Sequence, residues 1–490
     1  MYSLNGNATI TNAADFAAVR SISEEQAEEA AAVNTYREFY DGEQGTLITD
    51  RLAEFLSVAT EQEFVVNFCQ LIVDSLAERL EVTGFTTGDD ASDALLWEWW
   101  QQNRMDAMQR LVHTYAARDG MTYIIVDWNN DEGRPGYNVN EAFDGNEGIK
   151  AHWSGKPGLS KLLFASKRWR EEFDIDGKLK IRERRTLYYH DRVEKYVAGS
   201  GPGHEAGWMP FTEEDNGEWP VKWIGSDGKP LGLAVIPFLN RGTGVSELQQ
   251  VLPVQVALNK TVVDILAAAD VAGFAIYTKT GGSKIDDPAV FPGAFWQDTN
   301  ADTKWGKLEA SDLTPIIAAY DKFVHTLAII TRRPLSMFTG DNVSGESLKQ
   351  REAGLVAQAK AASVIMGNSW EDCMYLGAKL AETFGAETFP ADINISTQWA
   401  DVETRNEEAH RMAVREDYKA GIIDQQQAWD DMGYDNDQQE AMLRRAATER
   451  ARQVANAVRV IRETNAAPQP ANVTPNTNTN ATTTEPATIG

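Results

Sequence analysis

Six histidines, two cysteines and 73 acidic side chains are the groups in this 490-residue chain suited to catalytic or metal chemistry. None falls in a pattern that such chemistry uses. His113, His152, His190, His204, His325 and His410 are dispersed, with no His-Glu-x-x-His helix among them. Cys69 and Cys373 lie far apart in helix-like surroundings, so they read as small buried thiols and not as a disulfide framework or a zinc site. There is no Gly-x-x-x-x-Gly-Lys-Ser/Thr phosphate loop, no Gly-x-Gly-x-x-Gly after a strand and no nucleophile elbow. Asp127, Asn129 and Asp131 resemble the opening of a calcium loop, but Glu132 stands where that loop needs glycine and Asn138 where it needs glutamate. The triplet reads as a hairpin turn. The expectation is therefore a non-enzyme without catalytic residues, cofactor or metal. Carboxylates that converge in space, as in a two-metal nuclease, are the alternative.

Charge points the same way. Against the 73 acids stand 46 Lys and Arg, a formal net charge of -27, and a protein that grips nucleic acid by neutralising phosphates needs a basic patch. If DNA is a partner, it is held loosely. The first ten residues lack a basic segment followed by an apolar run, so no secretory signal is expected. The most apolar stretch, 251–277, is interrupted by Asn259, Lys260, Asp264 and Asp270, and no membrane-spanning segment is expected.

The elements that would position these residues are mixed α+β and predominantly helical. Apolar periodicity predicts helices over 23–40, 62–80 and 92–118, the last capped by Ser92, closed by Gly120 and striped by Trp97, Trp100, Met108, Leu111 and Tyr115. Strands are predicted at 121–128, 164–173, 178–189, 193–197 and 234–240, with a loop region over 199–230. A helix opened by Pro253 runs to about 272, apolar round most of its circumference, with narrow polar lines at Lys260/Asp264 and Gln255/Asn259. Pro315 opens the next helix, whose polar face carries Asp321, Lys322 and His325. A short irregular loop over 334–343 contains Met337, Phe338, Gly340, Asp341 and Asn342. Ser344 caps a helix reaching 382, which Gly354, Gly367 and Gly377 mark for bending. A strand follows at 393–399, then helices over 402–461 broken at Gly421 and Gly433. Residues 441–465 hold six Arg and two Glu, and the Asn-, Thr- and Pro-rich stretch 468–490 reads as disordered.

The order of these elements resembles the portal, or head-to-tail connector, protein of tailed double-stranded DNA bacteriophages of the siphovirus kind. The residues that carry the resemblance are Asn67-Phe68-Cys69 with Ile72-Val73-Asp74, Arg79-Leu80 and Gly84-Phe85, then Trp100, Asn103 and Asp106 with Asp119-Gly120. Pro237-Phe238-x-Asn240-Arg241, Ser246-Glu247-Leu248, Leu258-Asn259-Lys260 and Ser344-Gly345-Glu346-Ser347-Leu348 complete them. The resemblance implies wing, stem, clip and crown modules in a ring, typically of twelve subunits, around a central channel. On that basis 1–245 is an N-terminal α/β wing-like region, 246–272 stem helix one, 273–314 the clip and 315–333 stem helix two. Residues 334–343 are the tunnel loop, 344–402 the long wing helix and strand, 403–465 the helical crown and 466–490 a disordered tail.

The resemblance further implies candidate tunnel-loop residues Met337, Phe338, Gly340, Asp341 and Asn342, and polar stem or channel-facing residues Lys260, Asp264, Asp321, Lys322 and Lys349. Implied partners are further copies of the chain, the terminase large subunit, a head-tail adaptor, the major capsid and scaffolding proteins, and double-stranded DNA passing without sequence-specific contact. The implied location is the capsid vertex of the virion, and the host cytoplasm during assembly. A packaging-associated metal-dependent nuclease and an unrelated cytoplasmic helical scaffold are the competing readings.

Overall fold

The Glu- and Ala-rich opening segment forms α1 (Glu24–Asp41), which buries Ala30, Val33 and Phe39. A computed structural model of the chain describes residues 24–45, 65–175, 177–199, 208–212, 218–273, 276–281, 302–308, 312–340, 345–390, 393–403, 407–434 and 436–465. It divides into two units, Met1–Thr404 and Arg405–Gly490.

Helix α2 (Cys69–Ala77) is shorter than the periodicity predicts. The Val66 and Phe68 amides donate to Asn259 Oδ1 at 3.1 Å and Gln255 Oε1 at 3.3 Å, so tertiary partners replace the carbonyls of a helix, and Asn67 Oδ1 accepts the Cys69 amide where the helix begins. Strand β1 (Val82–Thr86) follows. The single helix predicted from 92 is two helices, α3 (Asp90–Gln102) and α4 (Met105–Asp119). Asp89, not Ser92, caps the first, accepting the Ser92 amide at 3.0 Å and its hydroxyl at 2.6 Å. Between the two, Arg104 is left-handed (φ 56°), and Asn103 Nδ2 donates to the carbonyls of Trp99 and Pro135. The break resets the helical phase. Met108 and Leu111, predicted on the apolar stripe, are 38% and 40% exposed, while Met105, Val112 and Ala116 are buried.

Strands β2 (Met121–Asn129) and β3 (Arg134–Glu141) form the predicted hairpin, its turn tied by Asn129 Oδ1 to the amides of Asp131 and Glu132. Next come β4 (Gly148–Trp153), β5 (Leu162–Ile175), β6 (Lys178–Tyr188) and β7 (Arg192–Ala198). The stretch predicted as loop contributes two short strands, β8 (Trp208–Pro210) and β9 (Val221–Lys222), before β10 (Val235–Leu239). A three-stranded sheet has the order β10-β2-β3, and a six-stranded sheet runs β4-β5-β6-β7-β8, with β9 also on β7.

Helix α5 (Leu252–Gly273) leads into the antiparallel strands β11 (Ile276–Thr280) and β12 (Lys304–Leu308), and α6 (Thr314–Thr331) packs back on α5. By length and apolarity α5 alone among the described helices reaches the span of a bilayer. The loop predicted after α6 contains one helical turn, α7 (Ser336–Thr339). The 40-residue α8 (Gly345–Phe384) runs unbroken, about 60 Å at 1.5 Å per residue. Its glycines serve close approach and not interruption: a Cβ on Gly354 would lie 2.9 Å from the Arg332 carbonyl, and one on Gly377 would strike the Tyr137 hydroxyl. Strand β13 (Ser396–Trp399) pairs antiparallel with β1.

Strand β2 organises the first unit by simple alternation. Ile124 and Val126 face one core with Trp100, Phe238 and Trp370, while Tyr123 and Ile125 face another with Ile149, Ala165 and Val235. A third core joins α2, α5, α6 and α8 through Ile72, Leu76, Leu248, Leu258, Leu327 and Leu355. In the second unit, α9 (Glu407–Ala420), α10 (Gln425–Asp431) and α11 (Asn436–Asn465) are separated at Gly421 and Gly433, as the pattern predicts. The predicted disordered stretch lies outside the described residues, as does most of 273–314.

Candidate functional site

Helices α5 and α6 and the turn after them carry most of the predicted site residues, and at several positions their polarity is inverted. In a lone soluble helix pair the amide side chains would face water and the branched aliphatics the core. Here Gln255 and Asn259 are 0% and 3% exposed, while Val256, Ile317 and Ile329 are 40%, 46% and 75% exposed. The two amides are inward because backbone groups there need partners. Asn259 Oδ1 accepts the Val66 amide and Gln255 Oε1 the Phe68 amide, while Gln255 Nε2 donates to the Val66 carbonyl and, at 3.2 Å, to Asn259 Oδ1. The polar line legible in the sequence is thus a strap that fixes the segment before α2.

Lys260 and Asp264 pair across one turn of α5 at 2.9 Å, with side chains 61% and 46% exposed. Such a pair contributes a few tenths of a kcal/mol at most, and the pairing leaves little net local charge. Asp321, Lys322 and His325 are exposed on α6. Lys349 lies in the first turns of α8, its side chain outside the described residues, as are Asp341 and Asn342 entirely.

Met337 and Phe338 are half-buried. The Phe338 ring meets Phe68 edge-on at 5.4 Å, and Met337 forms one wall of an open groove of about 590 Å³ with Asn67, Asp74, Arg79 and Glu403. They anchor the turn to the body. Gly340, left-handed at φ 72°, closes α7 and is exposed.

Two buried polar clusters brace this region, and the sequence pattern assigns a structural role to neither. Arg333, 3% exposed, donates from Nε to Ser75 Oγ at 2.7 Å, from Nη1 to the Thr331 carbonyl at 2.7 Å and from Nη2 to the Ile72 carbonyl, so one guanidinium ties the end of α6 to α2. Burial pulls its pKa down to about 10, against the attraction of Glu247. Glu247 accepts from Arg241 Nε and Nη2 at 2.9 and 2.8 Å, from Asn240 Nδ2 at 2.9 Å and from Gln358 Nε2 at 2.7 Å. Burial alone would raise this carboxyl; the hydrogen bonds from Arg241 and Asn240 outweigh it and hold the group below the usual carboxylate range. Ser246 Oγ donates to the Arg118 carbonyl at 2.5 Å. The motif residues Asn240, Arg241, Ser246 and Glu247 are therefore a latch joining α4, the entry to α5, and α8. Their visible signal is Arg, Ser and Glu flanking a glycine-containing turn.

Among the described residues no three His, Cys, Asp or Glu side chains are grouped to hold a metal ion. The region combines some apolar side chains turned outward, Val256, Ile317 and Ile329, with the amides of Gln255 and Asn259 and the charges of Arg333 and Glu247 held inward.

Residues 20–455 match the family model described as phage portal protein, SPP1 Gp6-like. A portal protein of Mycobacterium phage D29 is 27% identical over 409 residues, covering 77% of this chain and 78% of that protein. A portal protein of Mycobacterium phage L5 is 26% identical over 460 residues, covering 86% and 85%.

Proposed function

Because the chain belongs to the phage portal protein family, SPP1 Gp6-like, we propose that its copies close into a ring, expected to hold twelve, around a channel at one capsid vertex. Double-stranded DNA is packaged and later ejected through that channel. The observation that carries this reading is the set of outward aliphatic side chains on α5 and α6. Aliphatic side chains such as Ile317 and Ile329 are exposed in one copy and would be covered by neighbours in a closed head-to-tail ring.

In this reading 246–272 and 315–333 are the stem, 273–314 the clip that meets the terminase large subunit and then the head-tail adaptor, and 334–343 the tunnel loop. Residues 1–245 and 344–402 form the wing, which meets capsid and scaffolding protein, and 403–465 the crown. Met337 and Phe338 would root the tunnel loop, leaving Gly340, Asp341 and Asn342 to reach the channel. Lys260, Asp264, Asp321, Lys322 and Lys349 are its proposed polar lining. The net charge of -27 repels phosphates on the whole, so the duplex slides without being trapped. The role is structural, without turnover, in the virion and, before it, in the host cytoplasm.

Infections supplied only with the Ile317→Asp/Ile329→Asp chain test it. The expected outcome is soluble chain that forms no rings and no DNA-filled heads. Filled heads at the parental yield would contradict the proposed neighbour contacts.

A further inference from the structure

Helix α11 departs from the acidic character of the chain and from ordinary packing. Its start is anchored, since Gln439 Nε2 donates to Asp430 Oδ1 at 2.5 Å and to the Tyr434 carbonyl at 2.8 Å. From 443 to 459, however, every residue is exposed except the half-buried Ala446. Arg445, Arg452 and Arg459 recur every seventh residue. At 3.6 residues per turn they fall within about 40° of one another, at intervals of about 10.5 Å. Arg444, Arg445, Thr448, Arg452, Gln453 and Asn456 line a shallow hollow on this side, together with the carboxylate of Glu449. On the opposite side run Leu443, Val454 and Val458, which are 52%, 62% and 48% exposed.

The two stripes face in opposite directions, and this decides between partners. A protein surface laid on α11 would take the apolar stripe, because removing apolar area from water drives such association, and would leave the arginines pointing away. A face of arginines interleaved with Thr, Gln and Asn and free of large apolar side chains matches instead a hydrated polyanion. Guanidinium groups take phosphate oxygens in bidentate fashion, and short polar side chains hydrogen-bond the same backbone without reading sequence. We infer that the Arg445–Arg452–Arg459 face of α11 is a contact surface for the sugar-phosphate backbone of duplex DNA, independent of base sequence. The inference deepens the portal reading: it puts the DNA contact in the C-terminal helical unit and asks for none from the stem, whose Lys260/Asp264 pair leaves little net local charge. It also qualifies the expectation from net charge, because six arginines against two glutamates in 441–465 make a local basic stripe on an acidic chain.

The test uses the full-length chain and a fluorescent mixed-sequence duplex, titrated by anisotropy at several salt concentrations, with native mass measured in parallel. The parent chain is expected to bind at low salt with a steep salt dependence. Arg445→Gln/Arg452→Gln is expected to weaken binding about tenfold or more and to lower the salt slope by about one for each phosphate no longer neutralised, with an unchanged circular dichroism melt and native mass. Arg445→Lys/Arg452→Lys should recover most of the affinity. Absence of binding by the parent, or equal affinity and slope in the Gln variant, overturns the inference. A Gln variant that binds DNA normally but assembles differently overturns it too and gives the face to a second copy of the chain. A parent that never forms rings, yet loses duplex binding in the Gln variant, upholds the DNA face while contradicting the ring.

Discussion

His113 shows how a polar residue in the core is specified by its two neighbours. Its ring is 1% exposed; Nδ1 lies 3.0 Å from the Leu80 carbonyl and must donate there, so Nε2 is the acceptor for Trp370 Nε1–H at 3.1 Å. A second proton has no place. Burial pulls the His113 pKa down to about 4, and burial with nearby Lys150 and Arg185 does the same to His152. The unfolded chain protonates both near 6.5, so it binds more protons than the folded chain between about pH 6.5 and 4. Stability is full above 6.5 and is lost as pH falls through that window, on the order of 3 kcal/mol for His113. Urea denaturation of His113→Gln should show lower stability at pH 7 and a shallower acid decline than the parent, with His152 supplying the remainder; an unaltered decline would contradict the assignment. Arg333→Met leaves the Ser75, Thr331 and Ile72 acceptors without their shared donor and should cost about 3 kcal/mol in the same experiment. Neither role is legible in the sequence. A lone histidine on a helix and an Arg-Arg pair before a proline look the same whether buried or solvated, and burial comes from partners more than 200 residues away.

Elements are legible where local pattern and tertiary packing agree. The hairpins, the Pro253 and Pro315 helix starts and the glycine breaks at 421 and 433 stand where turn chemistry puts them. Disagreement arises where a distant side chain takes over a backbone group. Asn103 splits α3 from α4 by reaching the Pro135 carbonyl, and Gln255 and Asn259 delay α2 by holding the amides before it. Strand β1, which the pattern does not predict, pairs with β13, which lies within the predicted strand at 393–399. The glycines of α8 mislead in the opposite sense, since a residue that weakens a helix also lets another chain segment touch it. At an open site Gly→Ala would add about 1 kcal/mol to helix stability. At Gly377 the new methyl strikes Tyr137, so Gly377→Ala should lower the melting temperature by several degrees, and a rise would show that the helix is free there. Deleting 340–343 should preserve rings, since Met337 and Phe338 keep the turn rooted, and should impair packaging or retention of DNA. Filled heads at normal yield from that deletion would remove these residues from the channel.

For the whole molecule, the family is legible from the order of weak motifs, none of which is informative singly. Their structural content explains the order: Asn67 begins α2, Asn103 breaks the helix pair, and Asn240, Arg241, Ser246 and Glu247 latch α4 to α5 and α8. These residues position long helices relative to one another. The outward aliphatics of α5 and α6 are not legible, because a helix apolar on most sides reads equally well as a buried core helix. They make a strong demand, since an isolated copy would leave Ile317 and Ile329 in water. The most direct measurement is the native mass of the purified chain at moderate salt, with electron microscopy of the same sample. A closed assembly near 650 kDa, about twelve times 54.3 kDa, with a ring-shaped end view is the predicted result. A stable monomer or dimer at every salt concentration, with or without scaffolding protein, would contradict the account.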